Sequence, residues 1–351
     1  MIRLGIIGTG GMAHHHAREF QKIKGVALTA ACDIVPQKVK KFAVEFGIPA
    51  VYFDCRDMLA AEELDAVTTV TSDDAHAEVA LAVIAKGLPL LSEKPLATNM
   101  ADARKMATAA RKAGVVNMVN FSYRNSSALH AAAKEIRHGR IGRVIHVESS
   151  YLQSWLVGRA WGNWRTSSGW LWRLSTKHKS AGVLGDIGCH IYDLTTLMAG
   201  DIASIDCRLK TFDKGVRRNR IGEYVLDAND SFVSNVQFAG GALGTVHATR
   251  WATGQINSLR CRVYGDEGAI EIDLDRSYGE YRLCQGRKAI DTATWKTVKC
   301  PPTPTNYQRF IRAVRTGKGD DNNFANGAKI QAYLAASFLS ARKNGPVAVK
   351  F

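Results

Sequence analysis

In its first third the chain alternates short apolar runs with segments of helical period; further on it changes to alternating apolar and polar positions. Ile2–Ile7 and Val26–Cys32 are short apolar runs, and Leu64–Val70, Leu88–Leu91, Val115–Asn120 and the shorter Val51–Phe53 also read as strands. Continuous runs of this length mark strands buried on both faces. Between them, Ala13–Ile23, Lys38–Phe46, Ala77–Lys86 and Met100–Lys112 read as helices. Strand alternating with helix predicts a doubly wound parallel sheet. After residue 122 the order changes. A helix Ala128–His138 and a strand Val144–Leu152 lead into a tryptophan-rich stretch, then a turn and helix within Gly182–Gly200. Ile202–Phe212, Ser231–Phe238, Ala242–Trp251, Leu259–Tyr264, Ala269–Leu274 and Tyr281–Gln285 are separated by turn signals such as Ala239-Gly240-Gly241 and Asp266-Glu267-Gly268. That is the pattern of an antiparallel sheet, with an outer face able to meet another subunit. The charged segment Asp213–Asp227 reads as a mobile loop. Cys300-Pro301-Pro302-Thr303-Pro304 breaks the sheet, helices Tyr307–Thr316 and Ala325–Asn344 follow, and Val347–Phe351 reads as a terminal strand.

At 351 residues the chain exceeds one ordinary core. The expected division is 1–122 for the parallel-sheet domain and 123–351 for a second domain. The C-terminal helix is expected to pack back on the first domain. The fold class is α/β, with a parallel-sheet domain followed by an α/β domain on a large antiparallel sheet.

Composition excludes several alternatives. No apolar run reaches membrane-spanning length, and the N-terminus lacks a signal-peptide pattern, so a cytoplasmic location and no membrane partner are expected. The seven cysteines are scattered and form no CxxC pair, which favours reduced thiols over disulfides or a zinc site. Lys plus Arg is 47 against 32 for Asp plus Glu, a formal charge of +15. The densest basic clusters, Lys38–Lys41 and Arg217–Arg220, are short and interrupted, so a solvated surface is expected and no nucleic-acid partner. His14-His15-His16 point in different directions on a helix and cannot converge on one ion; no metal is expected.

The first strand runs directly into Gly8-Thr9-Gly10-Gly11-Met12-Ala13, a G-x-G-x-x-A pattern between strand and helix. Gly8 suits the tight turn, Gly10 lets backbone approach a pyrophosphate, and Ala13 allows close helix packing. Asp33 ends the second strand, where a carboxylate can bond a ribose 2′-hydroxyl and repel a 2′-phosphate. This favours NAD, although Lys38 and Lys40 keep NADP open, and Asp33 can alternatively cap a helix. In a doubly wound sheet ligands lie beyond the carboxyl ends of strands. Thr71, Ser72 and His76 are therefore expected to face the cofactor. So is Asn120, and so is the Glu93-Lys94-Pro95 step, whose charges at the end of a buried strand are costly without a use.

Within Gly182–Gly200, Asp186, His190 and Asp193 fall on one helical stripe, and Ile187, Ile191, Leu194 and Met198 on another. The helix start favours an anion at Asp186 and disfavours an imidazolium, which disposes His190, one turn later, to stay neutral and accept a proton. A capping Asp with a structural His is the alternative. Five of seven tryptophans lie within Trp155–Trp172 at no regular period. Aromatic faces suit sugar rings; a stapled surface loop or subunit contact would also account for them.

Taken together, GIIGTGGMA, Glu93-Lys94-Pro95 and Asp186-x-Gly188-x-His190 resemble the Gfo/Idh/MocA family of glucose–fructose oxidoreductase and inositol dehydrogenase relatives, over essentially the whole chain. The resemblance implies a Rossmann domain followed by an open-sheet domain used for homo-oligomerisation. It implies Lys94, Asp186 and His190 as the catalytic set and a carbohydrate or polyol substrate. Tyr123, Arg124, Trp172 and Arg173 are expected beside that substrate, with an interdomain ion pair as the alternative for Arg124. Ser180-Ala181-Gly182 departs from the glycine run frequent in the family. The expected reaction is hydride transfer between NAD(P) and a secondary alcohol or ketone. Two other readings stay open: a transient redox step on a glycoside with tightly held NAD, and a non-catalytic NAD-sensing protein.

Overall fold

The computed structural model describes residues Met1–Phe351. They divide into two compact units: Met1–Ser122 with Pro304–Gln331, and Tyr123–Thr303 with Ala332–Phe351.

The first unit is built on β1 (Ile2–Ile7), β2 (Val26–Cys32), β3 (Ala50–Tyr52), β4 (Ala66–Thr69), β5 (Leu90–Ser92) and β6 (Asn117–Val119), in spatial order β3-β2-β1-β4-β5-β6. Every pairing is parallel, and the order reverses beside β1, which creates the crevice at its carboxyl end. Helices Gly11–Gln21, Pro36–Phe46, His76–Ala85 and Met100–Ala113 connect the strands. A further helix, Cys55–Ala61, carries no clear periodic signal; Asp54 caps it by accepting from the Arg56 amide at 2.7 Å. Ala13 and Ala17 are fully buried, so their helix lies close on the sheet. Tyr307, Phe310 and Ile311 of the returning helix Asn306–Thr316 complete this core, with Phe20 and Tyr307 rings 5.2 Å apart.

The second unit holds β7 (Val144–Gln153), β8 (Ile202–Lys210), β9 (Arg220–Ile221), β10 (Tyr224–Val225), β11 (Ser231–Phe238), β12 (Leu243–Thr249), β13 (Asn257–Gly265), β14 (Gly268–Asp273), β15 (Glu280–Gln285), β16 (Lys296–Lys299) and β17 (Val347–Ala348). Nine of these form one sheet in the order β16-β15-β14-β13-β7-β12-β11-β8-β17. Only the β7–β12 pair is parallel. Along β11 the buried Phe232, Ser234, Val236 and Phe238 alternate with exposed Val233, Asn235 and Gln237, the period of a one-sided sheet. The helix Cys189–Ala199 packs on the covered face, where the Tyr192 hydroxyl meets Ser234 Oγ at 2.9 Å and Ser337 Oγ at 2.7 Å.

Two expectations change here. The segment 213–227 is tethered rather than loose. Lys214 is wholly buried, its ammonium bonds Asp230 at 2.8 Å, and β9 pairs with β10. Residues 182–200 do not form one regular helix either. Leu184–Gly188 is a π-helical turn, and the α-helix begins at Cys189. The even 3.6-residue phase assumed for Asp186, His190 and Asp193 therefore breaks between the first two. The α-helical part is also buried nearly all round, from Cys189 to Thr195.

Candidate active site

In the first unit a cleft of about 440 Å³ opens at the carboxyl ends of β1, β2 and β4, lined by Gly8, Gly10, Asp33, Lys38, Thr71 and Ser72 among others. Gly8 has φ 88°, and a Cβ there would lie 2.5 Å from the Val70 carbonyl oxygen; only glycine fits. Gly10 and Gly11 differ, because a Cβ on either meets no protein atom within 4 Å. Their bareness leaves room for something from outside the chain. They open the helix Gly11–Gln21, whose first turn holds no acidic residue and whose first amides lack helical partners. Met12 is exposed beside them, and Thr71 Oγ1 is buried with no partner in the protein. The Asp33 carboxylate is held in place: one oxygen accepts from the Thr9 amide at 2.7 Å and the Thr9 hydroxyl at 2.8 Å, the other from the Val35 amide at 2.9 Å. A bare glycine turn, an unpartnered hydroxyl and a fixed carboxylate fit the pyrophosphate and ribose of a dinucleotide.

Three residues expected to face the cofactor are engaged elsewhere. His76 is fully buried, with Nδ1 2.7 Å from the Pro95 carbonyl and Nε2 3.2 Å from that of Thr71. It ties two loops together instead of lining the cleft. Glu93 and Asn120 belong to a buried network. Glu93 Oε1 lies 2.8 Å from His16 Nε2 and accepts from Asn120 Nδ2 at 2.7 Å, and His16 Nδ1 meets Thr68 Oγ1 at 2.9 Å. Asn120 also bonds the Tyr307 hydroxyl and accepts from Asn306. Burial alone would raise the Glu93 pKa. The His16 hydrogen bond and charge, with Lys94 and Asn120, overcome it and hold the carboxyl at about 2. His16, set aside in the sequence with its two neighbours, is thus the partner of the Glu93-Lys94-Pro95 signature, and the Lys94 amide donates to Glu93 Oε2 at 3.1 Å.

In the second unit the turn before Asp186 is built around Asn229. Its carbonyl accepts from the Val183 amide at 2.8 Å, its side-chain oxygen accepts from the Leu184 amide at 3.0 Å, and its Nδ2 donates to the Ala181 carbonyl at 3.0 Å. Gly182 has φ 68°, and a Cβ there would strike Asn229. Two guanidiniums then approach Asp186: Arg250 at 2.9 Å and Arg173 at 3.7 Å, both at Oδ2. Asp186 keeps a partly exposed side chain, whereas Arg250 is wholly buried.

The buried His190 ring has two tyrosines edge-on, Tyr123 with centroids 5.0 Å apart and Tyr151 at 6.3 Å. Their hydroxyls bond each other. Asn257 donates to Tyr123 at 3.0 Å and accepts from Tyr151 at 2.8 Å. Burial, followed by the neighbouring Tyr123 and the Asp186 charge, pushes the Tyr151 phenol well up. Tyr123 is therefore part of the wall around His190. Arg124 is directed elsewhere: it is 3% exposed and grips Asp193 through two hydrogen bonds of 2.8 and 2.7 Å.

The tryptophan stretch folds into a small core of its own. Trp155 and Trp164 are buried with Leu156, Leu171, Leu174 and Leu226, and Trp161 stacks on Trp170 at 5.9 Å. Trp172 remains partly exposed, with the Arg173 guanidinium 4.6 Å from its ring centre. Of the residues outside the expected set, Arg250, Asn229, Tyr151 and Asn257 stand out. Each lies in or beside a strand of the open sheet, dozens of residues from Asp186, and no local motif marks it.

Comparison with known proteins agrees with this architecture. Residues 2–121 match the family model described as an oxidoreductase family with an NAD-binding Rossmann fold, and residues 129–271 match the GFO/IDH/MocA C-terminal domain. The chain belongs to the Gfo/Idh/MocA oxidoreductase family, and its first unit carries an NAD-binding Rossmann domain. Levoglucosan dehydrogenase of Pseudarthrobacter phenanthrenivorans is 27% identical over 86% of this chain and 80% of that enzyme. D-apiose dehydrogenase of Paraburkholderia graminis is 25% identical over 98% of this chain and 89% of its own. A solved structure of levoglucosan dehydrogenase with NADH and L-sorbose superposes with TM-score 0.86 at 25% identity, covering 99% of both chains. No helix here is long and apolar enough to cross a membrane.

Proposed function

We propose that this protein is an NAD-dependent dehydrogenase or reductase acting on a secondary hydroxyl or ketone of a cyclic sugar, cyclitol or glycoside. The observation that carries the reading is the second unit's partly exposed Asp186 carboxylate, paired with Arg250 one turn before the aromatic-walled His190. Relatives named for sugar dehydrogenation support the substrate class. Bound NAD supplies the acceptor or donor of the hydride. His190 takes the hydroxyl proton on oxidation and returns it on reduction. Asp186 orients a substrate hydroxyl, and Arg173 with Trp172 stands beside it. Lys94, the third member of the set, offers an ammonium to developing alkoxide charge. Asp33 favours NAD over NADP by excluding a 2′-phosphate. The exposed face of the nine-stranded sheet is the proposed homo-oligomer contact, and seven free thiols suit a reducing, cytoplasmic compartment.

The test is turnover of a panel of sugars, anhydrosugars, inositols, sugar acids and glycosides, followed by nicotinamide absorbance with NAD and with NADP. The reading expects at least one cyclic polyol to be oxidised faster with NAD. NADH binding without turnover of any member would favour a sensing role. Cofactor that co-purifies, with glycoside cleavage but no net NADH, would favour transient redox chemistry.

A further inference from the structure

We infer that Arg250 is a positioning residue for the proposed reaction, fixing the orientation of Asp186; the inference rests on the reading just given. Arg250 follows directly on β12, and its amide donates to the Asp230 carbonyl at 3.0 Å. Its side chain is one of the largest wholly buried groups in the molecule. The guanidinium makes three separate contacts. One nitrogen donates to Asp186 Oδ2 at 2.9 Å, another to the Arg173 carbonyl at 3.1 Å, and Cζ lies 4.9 Å from the centre of the Trp155 ring.

This arrangement goes beyond charge neutralisation. A buried cation is held only where its counter-ion and hydrogen bonds are good, so Arg250 and Asp186 fix one another. A guanidinium clamped at three points has little freedom to follow a carboxylate that moves. The Arg173 carbonyl also accepts from Ser180 Oγ. The same clamp therefore sets the segment that carries Arg173 and leads into Gly182.

The support continues on the other side. The Trp155 indole donates to Gln153 Oε1 at 3.1 Å, and Gln153 Nε2 donates to the Tyr151 hydroxyl at 3.2 Å. Tyr151 is one of the two rings beside His190. One continuous set of contacts thus runs from Asp186 through Arg250, Trp155 and Gln153 to the His190 wall. It gives buried Trp155 a supporting role in place of sugar contact. Charged and titratable groups facing Asp186 include Arg250, Arg173 and Tyr151, and Asp230 and Arg173 also act on Arg250.

The experiment is a double-mutant cycle in the full-length protein, using Arg250→Met, Arg250→Lys, Asp186→Asn and the combination of Arg250→Met with Asp186→Asn. Turnover is measured on a substrate found with the panel, with NADH affinity as a control on the first unit. Arg250→Met should lower kcat about 10- to 100-fold, the scale of a small misplacement at a reacting centre, and leave NADH affinity unchanged. Arg250→Lys should recover part of the loss. In the Asp186→Asn background Arg250→Met should cost little more, because both act through one carboxylate. Equal losses in the two backgrounds overturn the inference while leaving the proposed reaction intact. A substrate-free readout separates the two further. The carbon-13 NMR titration of the Asp186 carboxyl should move to higher pH in Arg250→Met or, if that variant does not fold, to a lesser extent in Arg250→Lys. An unchanged titration contradicts the inference even if no panel member is turned over.

Discussion

Arg124 holds Asp193 in a two-pronged ion pair, 2.8 and 2.7 Å, with both side chains 3% exposed. Asp193 lies one turn beyond His190 on the same helix, so this pair anchors the helix from the segment that opens the second unit. Arg124→Ala should destabilise the protein by about 3–5 kcal/mol, because it leaves a buried carboxylate without its cation. Replacing both residues by Leu should cost much less. Denaturant midpoints of the single and double variants check this; equal losses would contradict it.

Two glycines of one motif should respond differently to alanine. Gly8→Ala forces a Cβ against the Val70 carbonyl at φ 88°, so it should lower stability by more than about 1 kcal/mol. Gly10→Ala meets no protein atom. It should leave the melting temperature unchanged and weaken NADH binding, measured by nicotinamide fluorescence.

The Glu93 carboxyl, held at about 2 in the folded chain against an ordinary value of 4.5, makes stability depend on pH. Its pKa is depressed on folding, so its contribution is complete above 4.5 and fades as pH falls from there toward 2. Glu93→Gln should flatten the stability profile in that window and leave it little changed in shape near neutrality. Melting temperatures across the acid range measure the difference; identical slopes for both proteins would contradict it.

Asp33 should govern cofactor choice. Asp33→Ser removes the charge that opposes a 2′-phosphate and the acceptor shared with Thr9. NADH affinity should fall and NADPH affinity rise, and the ratio of the two dissociation constants reads it directly. An unchanged ratio would show that Asp33 serves only the turn into the following helix.

The parallel sheet was legible because strands buried on both faces are mostly apolar, as Leu4, Ile6, Leu90 and Leu91 show. The glycine turn was legible because it has a fixed place between strand and helix. The site in the second unit was legible only in its local part. Asp186 and His190 share a segment, but Arg250 is 64 residues from Asp186. The π turn at Leu184–Gly188 leaves no mark in a 3.6-residue pattern. His16 reads as one of three histidines pointing apart, and its partner Glu93 is 77 residues away. The tryptophans lack a period because they close a small core from several short turns rather than from one face of an element.

The central claim, that His190 handles the substrate proton in a nicotinamide-dependent oxidation, is tested most directly by the kcat of His190→Ala on the best panel substrate, with NADH affinity measured alongside. The account predicts a loss of about 10²–10⁴-fold with NADH affinity unchanged. Turnover comparable to the unmodified enzyme would contradict it.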